Sequence, residues 1–328
     1  MNPLISFIVV SFNSEKYIAD CLTSIIRQSE KNHEIIVIDN NSVDNTVSTL
    51  HEFKKYMQIE IISNPTNLGY GNALNIGIIK SRGEYLAILN ADVVLDEEWA
   101  RNLLTLISTD DKMMAACGRI LFPNGDVQST GGILDKYGAV IQRESKLFKA
   151  SKMPDNMNFF YCDGSSFMIR RQIFDQIRFD SLLFLYYEDV DLSWMIRMLN
   201  YDIGYSKKAI SYHIMGHAES DMTLDKFYYI ARNRIYVCSK NYSSKNILTR
   251  IPILLLLLFL DAIYYDKSKK PKGFVKTFLR ALWWNLANIF RIRKERKRSI
   301  AINKISDSNL DKYILNHSIE LDLLKIRK

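Results

Sequence analysis

Glu84-Tyr85-Leu86-Ala87-Ile88-Leu89-Asn90-Ala91-Asp92-Val93-Val94-Leu95 holds an apolar run without alternation, interrupted by a polar triplet. A run such as Tyr85 to Leu89 belongs to a strand covered on both faces, as in a parallel sheet flanked by helices. Asn90-Ala91-Asp92 then falls where the strand leaves the sheet. Ligands of open α/β sheets bind outside the carboxyl ends of the strands, and an acid there can hold a divalent cation against a phosphate. Taken alone, Asp92 reads as readily as a cap for the helix expected at Asp96-Glu97-Glu98-Trp99.

Upstream, the same grammar repeats. Leu4 to Val10 is a short apolar run ending in Ser11-Phe12-Asn13-Ser14, followed by a helical pattern through Tyr17, Ile18, Cys21, Leu22, Ile25 and Ile26. A second strand, Glu34 to Ile38, ends in Asp39-Asn40-Asn41-Ser42, with Asp44 and Thr46 opening another helix. A third, Ile59 to Ser63, leads into the turn-rich Asn64-Pro65-Thr66-Asn67-Leu68-Gly69-Tyr70-Gly71-Asn72 and a helix over Ala73 to Lys80. The order β-α-β-α-β-α-β predicts a parallel sheet whose polar rim gathers Asn13, Asp39 and Asp92. The first strand is followed by Ser-Phe-Asn-Ser rather than G-x-G-x-x-G, and no G-x-x-x-x-G-K-[ST] occurs. A dinucleotide cradle and a P-loop are therefore excluded, and phosphate must be held by a cation or by side chains.

Downstream, residues 118–150 read as irregular or hairpin-like, with turns at Pro123-Asn124-Gly125-Asp126 and Gly131-Gly132. Cys162-Asp163-Gly164-Ser165-Ser166 reads as a polar turn leading into a short strand. A helix is expected from Asp189, which sets Glu188 and Asp189 at its start, where capping and the macrodipole favour acids. A strand over Tyr205 to Tyr212 ends at His213, with His217 shortly after.

The chain has 328 residues, 48% hydrophobic and 24% charged, enough for one large α/β domain with an appendage or for two ordinary domains. Cys21, Cys117, Cys162 and Cys238 lie far apart; without a secretory signal at Met1-Asn2-Pro3-Leu4 they are expected to be reduced thiols of a cytoplasmic protein. The net charge of +8 divides into −4 over residues 1–240 and +12 over 241–328. We expect a catalytic domain over 1–240 and a helical, basic extension over 241–328. Ile251 to Tyr265 contains a solid apolar block, Ile253 to Leu260, but Pro252 precedes it and Asp261 interrupts it, and it reads as too short to cross a bilayer. Phe274 to Phe290, with its paired tryptophans, precedes the basic run Arg291 to Arg298. This pattern suits helices lying in an anionic headgroup layer, peripheral on the inner face of the plasma membrane; a helical bundle core or the interface of a homo-oligomer are the other uses. The apolar block and the acidic body argue against nucleic acid as the partner.

Six fragments stand in order: Ile8-Val9-Val10-Ser11-Phe12-Asn13, Glu34 to Asp44, Asn64 to Tyr70, Arg82-Gly83-Glu84-Tyr85, Leu89 to Asp92, and Phe184 to Leu192. Together they cover about residues 4–235 and resemble family 2 of the glycosyltransferases, with its GT-A fold, most closely a rhamnosyltransferase-like branch. The resemblance implies that Asp39 binds the uracil or thymine edge of a nucleotide, with Asn13 and Asn41 nearby and Asn67 lining the pocket. It implies Asp92 as ligand of Mg²⁺ or Mn²⁺, His213 as the second metal ligand with His217 as the alternative, and Asp189 as catalytic base. Asn90 and Glu188 accompany them as substrate-binding residues. The family's D-x-D reads Asn90-Ala91-Asp92 here, which implies weaker metal dependence. The implied reaction is inverting transfer of a sugar, L-rhamnose in this branch, from a dTDP- or UDP-sugar to a glycan or lipid-linked acceptor in cell-surface polysaccharide synthesis. A hexosyl- or galactofuranosyltransferase and a non-catalytic nucleotide-sugar-binding scaffold are the alternatives.

Overall fold

The computed structural model describes residues 3–145, 148, 159–214, 222–268 and 271–326, the side chains of 323–326 apart. Strands β1 (Ile5–Ser11), β2 (His33–Asp39), β3 (Ile59–Ser63) and β4 (Tyr85–Asn90) pair in parallel in the order β3-β2-β1-β4. Ser11 is in register with Asp39, and Val10 with Asn90, so the polar strand ends form one rim. Ala87 and Leu89 pack on one face with Ile18, Leu22 and Trp99, while Leu86 and Ile88 pack on the other with Leu74 and Ile196. Burial on both faces is the physical reason why this strand shows no alternation.

The sheet continues past β4 with β10 (Ser166–Arg170), β6 (Met113–Leu121), β11 (Asp202–His213) and β5 (Val93–Leu95). β10 runs antiparallel to both β4 and β6, β11 runs parallel to β6, and β5 runs antiparallel to β11. β7 (Val127–Ser129) hangs on β6, and β8 (Gly132–Asp135), β9 (Val140–Gln142) and β12 (Ile314–Leu315) form a second sheet. The result is an α/β fold with a mostly parallel sheet, flanked by helices and extended by a C-terminal helical segment.

Two sequence readings are corrected. Asp92 caps no helix: a three-residue strand follows it, and the next helix begins at Trp99 after Glu98. The apolar segment expected to be too short is part of one 25-residue helix, Ser244–Ser268, long and apolar enough by length and composition to cross a membrane. Pro252 removes one i→i−4 hydrogen bond there without ending the helix. Leu254, Leu258, Ala262 and Tyr265 from it enter a core that also holds Leu134, Tyr187, Trp194, Tyr236, Phe278 and Ile314. Side chains from both sides of residue 240 thus share one core.

Candidate active site

The rim of the sheet opens into a cavity of about 620 Å³ lined by Asn90, Asp92, Asp163, Glu188, Asp189 and His213, among others. Asp92 and His213 meet because β5 pairs with β11: His213 is in register with Val93, and the Ile214 N–H donates to the Asp92 carbonyl at 2.9 Å. His213 Nε2 then lies 3.3 Å from Asp92 Oδ1. Burial pulls the His213 pKa down, but the hydrogen bond with Asp92 and its charge, with Asp163 behind, outweigh this and the net shift is upward.

Glu188 and Asp189 open the helix Glu188–Met198 immediately after Tyr186 and Tyr187, which have φ of 67° and 73°. Left-handed backbone is costly for bulky side chains and persists only where the surroundings impose it. Asn233 imposes it here. Its fully buried amide donates to the carbonyls of Leu185 and Tyr186, each at 2.7 Å, while the Tyr187 hydroxyl donates to the Gly138 carbonyl at 2.8 Å. Asn233 belongs to Arg232-Asn233-Arg234 on the helix Leu224–Asn241. Arg232 packs over Trp284 and Tyr229, and Arg234 pairs with Glu320, so this triplet braces the site from behind.

The turn also aims the acids. Asp189 Oδ2 accepts from Gly164 N–H at 3.0 Å, and Oδ1 from Val190 N–H at 2.8 Å. Glu188 is 8% exposed and its Oε2 has no hydrogen-bond partner among the described residues. Burial, then the Asp189 charge, pushes Glu188 up to about 8; burial, then the Asp163 charge, pushes Asp189 up to about 7. Asp189 keeps an edge open to the cavity, so a proton acceptor near neutrality faces the space where a substrate can sit.

The expected nucleotide residues gather at neighbouring strand ends, outside the lining of that cavity. Asp39 is 2% exposed and accepts from Ser11 Oγ, Ser42 Oγ and Ser42 N–H at 3.2, 2.5 and 3.1 Å. Asn13 and Asn41 are exposed, with φ of 50° and 71°, and Asn13 Oδ1 accepts from Val43 N–H at 2.9 Å. Asn67 Oδ1 accepts from Asn40 Nδ2 at 2.8 Å and Gly69 N–H at 2.9 Å. His217 lies outside the described residues.

Sequence reasoning missed three participants. Asn40, passed over beside Asp39, links the loops: its Oδ1 accepts from Asn64 and Leu68, and its Nδ2 donates to Asn67. Asp163 lay inside a turn already singled out as polar, and its carboxylate accepts from Ser165 N–H and Oγ at 3.0 and 2.7 Å. Gln128, 3.0 Å from His213, had no signal: a single glutamine in an irregular stretch is unremarked until the sheet closes.

Asp92 offers at the cavity edge a hard oxygen suited to Mg²⁺ or Mn²⁺, and His213 a softer imidazole nitrogen that suits Mn²⁺ better than Mg²⁺. Among the described residues no group of three or more His, Cys, Asp or Glu assembles a full ligand set. The pair therefore fits a cation whose other ligands are phosphate oxygens and water.

Comparison with known proteins agrees with this fold. The family model described as Glycosyl transferase family 2 matches residues 6–178. An uncharacterized glycosyltransferase of Haemophilus influenzae is 42% identical over 114 residues, 34% of this chain and 35% of that protein. A poly-beta-1,6-N-acetyl-D-glucosamine synthase of Staphylococcus epidermidis is 25% identical over 217 residues, 64% of this chain and 50% of that protein. The chain thus spans half or less of the length of these relatives. Among solved structures, the fragment 1–349 of TarS of S. aureus superposes with a TM-score of 0.56 at 16% identity, over 100% of this chain and 91% of that fragment. The mannosyltransferase PcManGT of Pyrobaculum calidifontis, in complex with GDP-Man and Mn²⁺, gives 0.55 at 14% identity, over 100% of this chain and 86% of its own. At such identity these likenesses speak for the fold alone.

Proposed function

Because the chain belongs to glycosyl transferase family 2, we propose that it is an inverting glycosyltransferase using a nucleoside-diphosphate sugar. The observation that carries this reading is the facing of Glu188-Asp189 and Asp92–His213 across one cavity at the carboxyl ends of the strands. In the proposed reaction, Asp189 takes the proton of an acceptor hydroxyl as that oxygen attacks the anomeric carbon. The new glycosidic C–O bond forms as the anomeric C–O bond to the diphosphate breaks, and the nucleoside diphosphate leaves with the electron pair. Asp39, with Asn13, Asn41 and Asn67 around it, receives the base of the nucleotide. Asn90 and Glu188 flank the sugar. Asp92 and His213 hold the divalent cation, Mg²⁺ or Mn²⁺, which when bound supplies charge stabilisation to the departing diphosphate.

L-rhamnose from a dTDP- or UDP-donor is the first sugar to test, on the strength of the motif set. The acceptor we propose is a growing glycan, lipid-linked and met at a membrane surface. Leu256, Leu279, Trp283, Leu286 and Phe290 are exposed on consecutive helices, beside the exposed Arg280, Arg291, Arg293 and Lys294. Apolar side chains with a basic fringe support attachment to an anionic bilayer.

The test is nucleoside-diphosphate release from dTDP-, UDP- and GDP-sugars, with Mg²⁺, Mn²⁺ or EDTA and a membrane glycolipid extract as acceptor. Acceptor-dependent release from one donor, reduced in EDTA, is the expected result. Binding of donor without release under every condition would favour a non-catalytic nucleotide-sugar scaffold instead.

A further inference from the structure

Gln128 is 4% exposed, and among the described residues its amide reaches only His213 by hydrogen bond: Nε2 is 3.0 Å from His213 Nδ1, while Oε1 has no partner among them. The strand geometry aims it there. In the antiparallel pairing of Val127–Ser129 with Met113–Leu121, Ile120 faces Ser129 and Leu121 faces Val127, so Gln128 is the extra residue of a bulge. Bulges redirect a side chain out of the regular alternation and recur beside active sites. On the other edge of the same Met113–Leu121 strand runs the strand that ends at His213.

An amide is suited to this post. An imidazole that gives its Nε2 lone pair to a cation carries its proton on Nδ1 and needs an acceptor there; one that keeps the proton on Nε2 needs a donor. A half-turn of the Gln128 amide exchanges Oε1 for Nε2 at the same place, and among the described residues no second hydrogen bond opposes the turn. Outer partners of metal-binding histidines select the tautomer and ring orientation in this manner.

We propose that Gln128 is a positioning residue that accepts from His213 Nδ1–H through Oε1 and so presents Nε2 to the divalent cation. The inference rests on the reading of Asp92 and His213 as the cation site. Its test is Mn²⁺ affinity by electron paramagnetic resonance, measured with UDP on the full chain, for the wild type and for Gln128→Met, Gln128→Glu and His213→Ala. Gln128→Met, which keeps volume and loses the hydrogen bond, should weaken Mn²⁺ binding about 10–100-fold. Gln128→Glu, a stronger acceptor, should bind at least as tightly as the wild type, whereas a glutamine that merely fills space would be harmed more by a buried charge. A second readout needs no variant: ¹⁵N shifts of His213 in the wild type should report the Nδ1–H tautomer once Mg²⁺ and UDP are added.

Equal Mn²⁺ affinity in wild type and Gln128→Met, equal losses in Gln128→Met and Gln128→Glu, or an Nε2–H tautomer with Mg²⁺ bound would overturn the role of Gln128. Any of these together with a loss in His213→Ala would leave the cation site standing. Mn²⁺ binding unchanged by His213→Ala, or none in the wild type, would overturn the site and this inference together.

Discussion

Gly164 N–H donates to Asp189 Oδ2 at 3.0 Å, and the two residues lie so close that a side chain on Gly164 enters only if Asp189 gives way by a few tenths of an ångström. A β-carbon on Gly164 meets Asp189 Cβ at 3.2 Å and Oδ2 at 3.3 Å. The polar turn before one strand is thus fitted against the acid that opens a distant helix. Gly164→Ala should push Asp189 off its line. We expect kcat to fall about 10-fold or more with the dissociation constant for UDP unchanged, since misplacing a reacting group is felt in the transition state. Steady-state kinetics beside UDP calorimetry checks this, and an unchanged kcat would remove the contact from the mechanism.

Asp189→Asn should lower kcat by about 10²–10⁴, the range carried by a general base, and leave UDP binding intact. Single-turnover transfer with the cognate acceptor makes the measurement. Turnover at the wild-type rate would take the base role from Asp189.

The pH dependence follows from two upward shifts, Asp189 to about 7 and Glu188 to about 8, against ordinary values of 3.8 and 4.5. Activity should rise with pH through about 7 as Asp189 loses its proton. Stability should run the other way. Between the ordinary and the raised pKa values the folded protein holds more protons than the unfolded chain, so the pair costs stability as pH climbs from about 4 through about 8. The stability of Asp189→Asn relative to the wild type should therefore be more favourable at pH 8.5 than at pH 5, by about 1–2 kcal/mol after discounting for the solvent that reaches the cavity side, on top of a constant loss for the Gly164 or Val190 N–H that the amide leaves without an acceptor. Melting curves at the two pH values decide it; an equal difference at both would contradict the assigned shifts.

Asn233→Ala leaves the carbonyls of Leu185 and Tyr186 without their donor in the interior. An unsatisfied buried carbonyl costs about 1–3 kcal/mol, so we expect a loss of about 2–4 kcal/mol in urea unfolding. The turn that carries Glu188 should also relax, and kcat should fall further than donor affinity. Wild-type kcat in a folded Asn233→Ala protein would separate the turn from the chemistry.

Glu320→Ala tests how far the C-terminal segment supports the site. Glu320 Oε2 accepts from Arg234 Nη2 at 3.0 Å with both side chains buried, and Arg234 Nε donates to the Tyr137 carbonyl at 2.9 Å. Stripping one partner from a buried ion pair costs about 3–5 kcal/mol because the other charge stays behind. A melting temperature within a degree of wild type would show that the pair carries no such weight.

Local sequence determined much of this protein. The unbroken apolar runs, each closed by a polar cluster, specified a sheet buried on both faces, because side-chain pattern answers directly to which faces meet water. The strand ends bearing Asp39 and Asp92 were legible for the same reason, as was the acidic start of the helix at Glu188. Strand pairing between distant segments was not legible, since register depends on partners far along the chain. Only tertiary structure decided that Val93–Leu95 is a strand on the edge of Asp202–His213, which makes a neighbour of Asp92 out of His213. Only it aimed Gln128 at that histidine, through a bulge invisible to periodicity. The strained pair Tyr186-Tyr187 belongs there too: nothing in its own residues favours a left-handed turn, and buried Asn233 supplies the hydrogen bonds that hold it.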